Sequence, residues 1–231
     1  MKDFNDKIAL VTGASRGLGY AVARSLGARG AHVIAAARTV GGLEELDDEI
    51  KTSGGQATLV PLDLNDDPAL ERLGAAIHDR WGRLDIWVHT AIYPAGMTPV
   101  EHIDGKDLDR TIATNIRLPQ RLIRVLDPLL RRAEAGRAVF FSDPDADEQQ
   151  FQATYAMSKT AAADMVLRWG GEAAATSSMR VLLAATPPMA TAVRARFHPG
   201  EDTKGHPTTS EVADKLMVHL AVGAQGRVDL R

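Results

Sequence analysis

The chain contains no cysteine, and that absence excludes several kinds of site at once. Without thiols there are no disulfide bonds, no thiolate metal ligands and no cysteine nucleophiles. We also find no metal-ligand pattern in the histidines and carboxylates, so the sequence predicts no metal site. Any chemistry is expected to use oxygen and nitrogen groups.

An excess of basic residues and a long apolar run are also missing. The formal net charge is −3, and the lysines and arginines are scattered, which argues against a nucleic-acid partner. No run approaches the roughly 18 apolar residues of a membrane span, and residues 1–6 are polar. We therefore expect no membrane segment and no signal peptide, and a cytoplasmic protein.

The sequence is otherwise that of an ordinary folded domain. It has 231 residues, of which 45% are hydrophobic and 25% charged, which is enough for one large core and predicts one domain over residues 1–231. Apolar β-type runs near 7–12, 32–37, 57–60, 84–89, 137–142, 179–185 and 226–229 alternate with helical patterns. This alternation predicts an α/β fold in which one doubly wound parallel sheet carries helices on both faces.

A glycine-rich turn lies between the first predicted strand and the first predicted helix. It reads Thr12-Gly13-Ala14-Ser15-Arg16-Gly17-Leu18-Gly19. A strand that turns through three glycines into a helix presents free backbone N–H groups and the positive end of the helix dipole to a phosphate. A Cβ at the glycine positions would hold the phosphate away. The turn predicts a pyrophosphate site, although a glycine turn without any ligand is the alternative.

The end of the second strand indicates which dinucleotide would bind. NAD-binding proteins usually carry a carboxylate there for the ribose 2′-hydroxyl, but this chain has Ala35-Ala36-Ala37-Arg38. Arg16 lies inside the glycine turn, so two guanidiniums are expected at one edge of the adenosine. They would bind a 2′-phosphate, which favours NADP(H) over NAD(H). The alternative is that both are solvated surface arginines.

A tyrosine and a lysine four residues apart, Tyr155 and Lys159, begin an alanine-rich helical pattern. Residues at this spacing share one face of a helix, and an ammonium near a phenol lowers the phenol pKa towards working pH. Tyr155 would then serve as a general acid and base. Ser142 precedes this tyrosine by thirteen positions, at the end of the fifth predicted strand.

With T-G-x-x-x-G-x-G near its start and Ser142, Tyr155 and Lys159 further on, the chain resembles the short-chain dehydrogenase/reductase family over nearly its whole length. It looks like a divergent bacterial member. The resemblance implies a Rossmann fold and hydride transfer between the nicotinamide of NADP(H) and a small carbonyl or secondary alcohol substrate. Ser142 would then bind the substrate oxygen, Lys159 would hold the nicotinamide ribose, and Asn115 would hold a water that connects Lys159 to solvent.

The resemblance also implies a set of cofactor contacts and an assembly. Asp63 stands where the family has an aspartate near the adenine amino group, and a homodimer or homotetramer is expected through the helices that hold Asn115 and Tyr155. The implied cofactor contacts are Gly13, Ser15, Arg16, Gly17, Leu18, Gly19, Arg38, Asp63, Leu64, Ala91, Tyr155, Lys159 and Pro187.

Some positions depart from the family pattern. His89-Thr90-Ala91-Ile92 replaces the usual N-N-A-G, and Pro188 replaces a glycine. We expect His89 to be structural, Ile92 to narrow the cleft, and the hydrogen bonds of the missing asparagine amides to be lost. These departures leave open two other functions, a nucleotide-binding protein with little or no turnover and an isomerase or epimerase with tightly held nucleotide.

Two further segments lie near the predicted site. The acidic stretch Asp143-Pro144-Asp145-Ala146-Asp147-Glu148 does not match an EF-hand, because Glu148 takes the glycine position. A solvated acidic loop is our favoured interpretation, and the alternative is that its carboxylates face the substrate and discourage anionic substrates. Residues 187–207, rich in proline and glycine, predict a lid over the substrate, in which Arg194 and Arg196 contact it.

Overall fold

Seven strands form one parallel sheet in residues 3–231, the part of the chain that the computed structural model describes, the side chains of residues 147 and 148 excepted. Their order across the sheet is β3-β2-β1-β4-β5-β6-β7, and every neighbouring pair is parallel. The strands are β1 Ile8–Thr12, β2 His32–Ala37, β3 Gln56–Pro61, β4 Ile86–His89, β5 Arg137–Ser142, β6 Arg180–Ala185 and β7 Gly226–Asp229. The predicted strand positions and the doubly wound α/β fold are confirmed.

Helices cover both faces of this sheet. They are α1 Gly17–Ala28, α2 Val40–Thr52, α3 Asp67–Trp81, α4 Gly105–Thr111, α5 Leu118–Leu130, α6 Ala153–Thr176, α7 Ala192–Phe197 and α8 Thr209–Ala221. A π-helical turn, Ile112–Arg117, joins α4 to α5. Within the described residues, none of these helices has the length and apolar character that crossing a membrane requires.

Successive residues of the central strands pack alternately into two hydrophobic cores, one on each face of the sheet. Ala9 and Val11 of β1 face a core shared with α1, α2 and α8, whereas Leu10 faces a core shared with α3, α5 and α6. Because both faces of β1 are covered, all five of its residues are buried, as expected of a central parallel strand. The helices therefore hold the strand ends at fixed positions.

The sheet order reverses direction at one place, between β1 and β4. From β1 the chain winds outward to β3, and it then returns to β4 on the other side of β1. In open α/β sheets a crevice forms outside the carboxyl ends of the strands at such a point. The glycine turn after β1, the segment after β4 and the loop after β5 all lie at that edge.

Candidate active site

A cleft of about 1200 Å³ opens at the carboxyl edge of the sheet. It is lined by the glycine turn, by the ends of β2 and β4, and by the first turn of α6. The predicted site residues that line it are Gly13, Ser15, Arg16, Gly17, Leu18, Gly19, Arg38, Asp63, Leu64, Ala91, Asn115, Tyr155, Lys159 and Pro187. Two predicted residues are absent from this lining, Ser142 and Arg196, of which Arg196 was expected to contact substrate.

The glycines of the turn allow it to pack closely against the segment after β4 and against itself. Gly13 has φ +89°, and a Cβ on it would lie 2.7 Å from the main-chain nitrogen of Ala91. A Cβ on Gly19 would overlap the hydroxyl of Thr90 and the carbonyl oxygen of Gly13. Helix α1 begins at Gly17 and has no acidic residue in its first turn, so its free N–H groups point at a region that suits an anion. The turn therefore fits a bound pyrophosphate.

Thr90 and His89 tie β4 to β1, although asparagines usually occupy their positions in the family. The Thr90 hydroxyl donates to the carbonyl oxygens of Thr12 and Gly13 over 2.9 and 3.2 Å. Nδ1 of His89 lies 2.8 Å from Oγ1 of Thr12. A hydroxyl and an imidazole thus supply hydrogen bonds between these segments in place of those of the missing asparagine amides.

His89 is a buried, uncharged histidine. It packs against the rings of Trp87 and Phe140, with centroid distances of 5.8 and 5.3 Å. Burial, with a further contribution from the charge of Lys159, lowers the pKa of His89 to about 3. The neutral ring that results has the structural role expected from the sequence.

Arg16 and Arg38 are both exposed and line the same end of the cleft. Neither forms an ion pair with a carboxylate in the described part of the chain. An exposed guanidinium usually pairs with a carboxylate or is simply solvated, so two unpaired guanidiniums beside one cleft suit an anionic group of the ligand.

Asp63 is held by its own turn. Its Oδ1 accepts a hydrogen bond from the main-chain N–H of Asn65 over 3.0 Å, which fixes the carboxylate after β3. Leu64 beside it is buried. Both residues line the cleft.

Tyr155 is buried and donates a hydrogen bond to a carboxylate. Its hydroxyl lies 3.0 Å from Oδ2 of Asp143, and its ring packs on Phe197 with a centroid distance of 4.8 Å. Burial raises the pKa of Tyr155, and Asp143 raises it further through its charge and its hydrogen bond. The lowered tyrosine pKa that we expected from Lys159 is therefore not found in this structure.

Lys159 lies one helical turn beyond Tyr155 and donates to the main chain. Its Nζ is 2.5 Å from the carbonyl oxygen of Phe141 in β5. Burial lowers the pKa of Lys159 to about 8, an effect that the charge of Asp143 partly offsets. The lysine thus places a positive charge at the floor of the cleft.

Ser142 is the last residue of β5, as predicted, and its carbonyl oxygen accepts hydrogen bonds from the N–H and hydroxyl of Thr186, each over 3.2 Å. It is not among the residues that line the cleft, whereas the next residue, Asp143, is. The carboxylate of Asp143 lies beside the tyrosine hydroxyl.

Asn115 positions other parts of the site. It lies in the π-helical turn and is buried, with its Oδ1 accepting from the N–H of Tyr93 over 2.8 Å. Its Nδ2 donates to the Tyr93 carbonyl over 2.9 Å and to Oγ of Ser158 over 3.0 Å. Both amide hydrogens are thus used to join the segment after β4 to α6.

The segment predicted as a lid, residues 187–207, contains helix α7. Phe197 of α7 packs on Tyr155, in a small cluster that Ile92 also joins. Arg194 is held by Glu201 through two hydrogen bonds of 2.6 and 2.5 Å. Arg194 was expected to contact substrate, but its charge is already neutralised by this pair.

The acidic stretch after β5 faces the cleft. Asp143 and Asp145 both line it, and residues 144–148 form a short 3₁₀ helix. This arrangement supports the alternative interpretation of the stretch, rather than the solvated loop that we favoured. The side chains of Asp147 and Glu148 lie outside the described residues.

The sequence analysis assigned no site role to Gln152, and it gave Asp143 one only as part of the acidic stretch. Gln152 is buried, lines the cleft and precedes α6. One feature of the sequence could have indicated a role for Asp143, namely that this acidic residue directly follows the proposed serine. No such feature indicated a role for Gln152, because a glutamine before a helix is normally a surface residue.

Comparisons with known proteins agree with the fold. A family model described as short chain dehydrogenase matches residues 7–202. A fatty acyl-CoA reductase of Acinetobacter baylyi is 34% identical over 137 residues, which is 59% of this chain and 46% of the relative. The human dehydrogenase/reductase SDR family member 11 is 42% identical over 39% of this chain and 36% of its own length. The chain thus spans about half or less of these two relatives.

Solved structures match over nearly the whole chain. A short chain dehydrogenase from Salmonella enterica serovar Typhi superposes with a TM-score of 0.93 at 25% identity, covering 100% of this chain and 98% of the other. A metagenomic short-chain oxidoreductase in complex with NADP gives a TM-score of 0.83 at 27% identity, covering 98% and 96%. A structure from Escherichia coli CFT073 complexed with NADPH gives 0.92 at 27% identity, covering 100% and 99%. The chain belongs to the short-chain dehydrogenase/reductase family.

Proposed function

We propose that this chain binds NADP(H) and interconverts a carbonyl group and the corresponding secondary alcohol, with Tyr155 as the general acid and base. The observation that carries the proposal is one shared cleft, which joins the glycine turn at one end to Tyr155 and Lys159 at the other. A phosphate site and a proton-transfer group in one cleft suit an oxidoreductase.

The cofactor end of the cleft supports NADP(H). Gly13 and Gly19 let the turn pack closely enough to present the start of α1, whose free N–H groups would bind a pyrophosphate, and Arg16 and Arg38 would bind a 2′-phosphate. The metagenomic and E. coli relatives were solved with NADP and NADPH, respectively. When bound, the dinucleotide supplies the hydride.

The chain's own residues supply the proton chemistry. Tyr155 would give its phenolic proton to the substrate oxygen during reduction and take it back during oxidation. Because burial and Asp143 raise the pKa of Tyr155, the phenol is protonated at neutral pH, which is the form that reduction requires. Lys159 would stabilise negative charge that develops on the phenol, and Ser142 remains our proposed donor to the substrate oxygen.

A protein with little or no turnover remains the second candidate function. It is favoured by the hydrogen bond that Tyr155 already donates to Asp143, since a substrate oxygen has to displace that carboxylate as the acceptor. An isomerase or epimerase would instead retain nucleotide through purification. We further propose a cytoplasmic homodimer or homotetramer that associates through α5 and α6, which sedimentation of the purified protein tests.

The first experiment is titration of the purified protein with NADPH and NADH, followed by nicotinamide fluorescence. Arg38→Ala should weaken NADPH binding by about tenfold or more, because a charge-assisted contact to phosphate is lost, and should leave NADH binding unchanged. Arg227→Ala is the matched control, because Arg227 is exposed on β7 at the edge of the sheet. Failure of both nucleotides to bind would overturn the proposal.

The second step measures turnover. NADPH consumption is followed with a panel of ketones for the wild type and Tyr155→Phe. Loss of turnover in Tyr155→Phe with unchanged NADPH binding is the expected result. NADPH binding without turnover of any ketone by the wild type would favour the second candidate function.

A further inference from the structure

Gln152 is a buried amide with an unused hydrogen-bond donor. Its side chain is 3% exposed and lines the cleft, three residues before Tyr155. In the described part of the chain, Nε2 of Gln152 has no hydrogen-bond partner. Although Gln152 occupies the N-cap position of α6, its side chain does not cap the helix.

The main chain around Gln152 holds the amide in place. Phe151 adopts φ +66°, a left-handed conformation that is uncommon for an aromatic residue, and its carbonyl oxygen accepts from the N–H of Thr98 over 2.8 Å. The carbonyl of Gln152 accepts from the N–H of Ala156 over 2.9 Å. The main chain on both sides of the Gln152 side chain is therefore fixed by hydrogen bonds. The amide lines the cleft from this position.

A buried polar group without a partner is costly, and such groups concentrate where a ligand completes the hydrogen bond. The side chains that line the cleft with Gln152 include the carboxylates of Asp143 and Asp145 and the ammonium of Lys159, whose Nζ already donates to the carbonyl oxygen of Phe141. Gln152 is the buried side chain in this lining with a free N–H among the described residues. The amide thus matches an acceptor on a ligand that is bound beside Tyr155.

We infer that Gln152 is a substrate-positioning residue, whose amide donates to an oxygen of the substrate other than the reacting carbonyl. This inference rests on the proposed function, because it assumes that the reacting carbonyl lies at Tyr155. The substrate class is a carbonyl compound with a second acceptor oxygen, such as an ester, ether or hydroxyl oxygen. The carboxylates of Asp143 and Asp145 in the same cleft favour a substrate without a negative charge.

The test compares ethyl acetoacetate with 2-heptanone, in which two methylene groups replace the ester carbonyl and ester oxygen. Gln152→Met keeps the length of the side chain and removes the amide. The KM for ethyl acetoacetate should rise about threefold to tenfold with little change in kcat, since one neutral hydrogen bond is lost, and 2-heptanone should be unaffected. Gln120→Met is the control, because Gln120 is exposed on α5 outside the cleft.

A binding readout separates this inference from the proposed reaction. The side-chain amide resonances of Gln152, assigned by their loss in Gln152→Met, are followed by NMR in the presence of NADP⁺. They should shift with ethyl acetoacetate and not with 2-heptanone. If they do so while the wild type reduces neither compound, the inference stands and the proposed reaction fails. If the resonances do not respond, or the variant affects both compounds alike, Gln152 is a packing residue and the inference is overturned.

Discussion

The hydroxyl of Tyr155 donates a 3.0 Å hydrogen bond to Oδ2 of Asp143, so the proposed acid and base meets a carboxylate in the cleft. A phenolate beside a carboxylate is disfavoured, because the charges repel and the donated hydrogen bond stabilises the neutral phenol. This contact makes the tyrosine a better proton donor at rest than a proton acceptor. Substituting Asp143 should therefore change the rate of alcohol oxidation, which can be measured.

Asp143→Asn should lower the pKa of Tyr155 and speed alcohol oxidation at neutral pH. Each unit of lowering corresponds to about tenfold more phenolate below the tyrosine pKa. The pH profile of kcat/KM for oxidation should move to lower pH. Asp145→Asn removes a charge from the same cleft without removing this hydrogen bond, so its profile should move less. An unchanged profile for Asp143→Asn would show that the carboxylate does not control the tyrosine.

His89 should make the protein sensitive to acid. The unfolded chain protonates this histidine below about pH 6.5, but the folded protein does so only below about pH 3. Between these values the unfolded state binds more protons, so the free energy of unfolding should fall by about 1.4 kcal/mol per unit of decreasing pH. His89→Asn, measured by urea unfolding, should flatten this dependence. A slope as steep as that of the wild type would contradict the assignment.

Gly19→Ala should damage the cofactor end of the cleft. The added Cβ would meet the hydroxyl of Thr90 and the carbonyl oxygen of Gly13, and backbone cannot move aside cheaply. We expect a loss of about 1–3 kcal/mol in stability and NADPH binding that is weaker by about tenfold or more, as the cradle distorts.

Gly171→Ala is the matched control for that change. Gly171 is exposed in α6, and a Cβ there meets nothing within 4 Å. Alanine should stabilise the helix by about 0.5–1 kcal/mol and leave NADPH binding unchanged. Equal effects of the two substitutions on binding would remove the argument from the glycine turn.

Glu201→Gln should loosen the segment that carries α7. The bidentate contact to Arg194 is lost, and with it the link between α7 and the loop that follows. Hydrogen exchange of the amides in 192–197 should become faster, and the KM for a ketone should rise because Phe197 packs less firmly on Tyr155. Asp164→Asn, which breaks the exposed pair with Arg168, is the control and should leave that exchange unchanged.

The sheet and the cofactor end could be predicted because their signals are local. Each strand is a short apolar run, and the turn from Gly13 to Gly19 needs its glycines for reasons that lie in the backbone itself. The spacing of Tyr155 and Lys159 likewise indicates a shared helix face, whatever surrounds it.

The details around the tyrosine depend on contacts between distant segments and could not be predicted in this way. The end of β5 at Ser142 was predicted, but the position of Asp143 relative to Tyr155 depends on the 3₁₀ helix that follows, which the sequence analysis did not predict. The tyrosine pKa was assigned the wrong direction because burial by Phe197 and the nearby carboxylate outweigh the lysine. The role of Asn115 required knowing that it meets Tyr93.

The π-helical turn Ile112–Arg117 has a consequence for how this helix tolerates change in length. The N–H of Leu118 bonds to the carbonyl oxygen of Ala113, five residues back, so the turn holds one residue more than a regular α-helix. Deleting one residue from a regular α-helix rotates everything on one side by about 100° relative to the other. At this turn the extra residue is already absorbed by the wide hydrogen-bonded ring, so a deletion would restore the regular repeat and leave α4 and α5 near their present orientations. The helix should therefore tolerate a one-residue deletion here better than elsewhere, at the cost of moving Asn115 from its bonds to Tyr93.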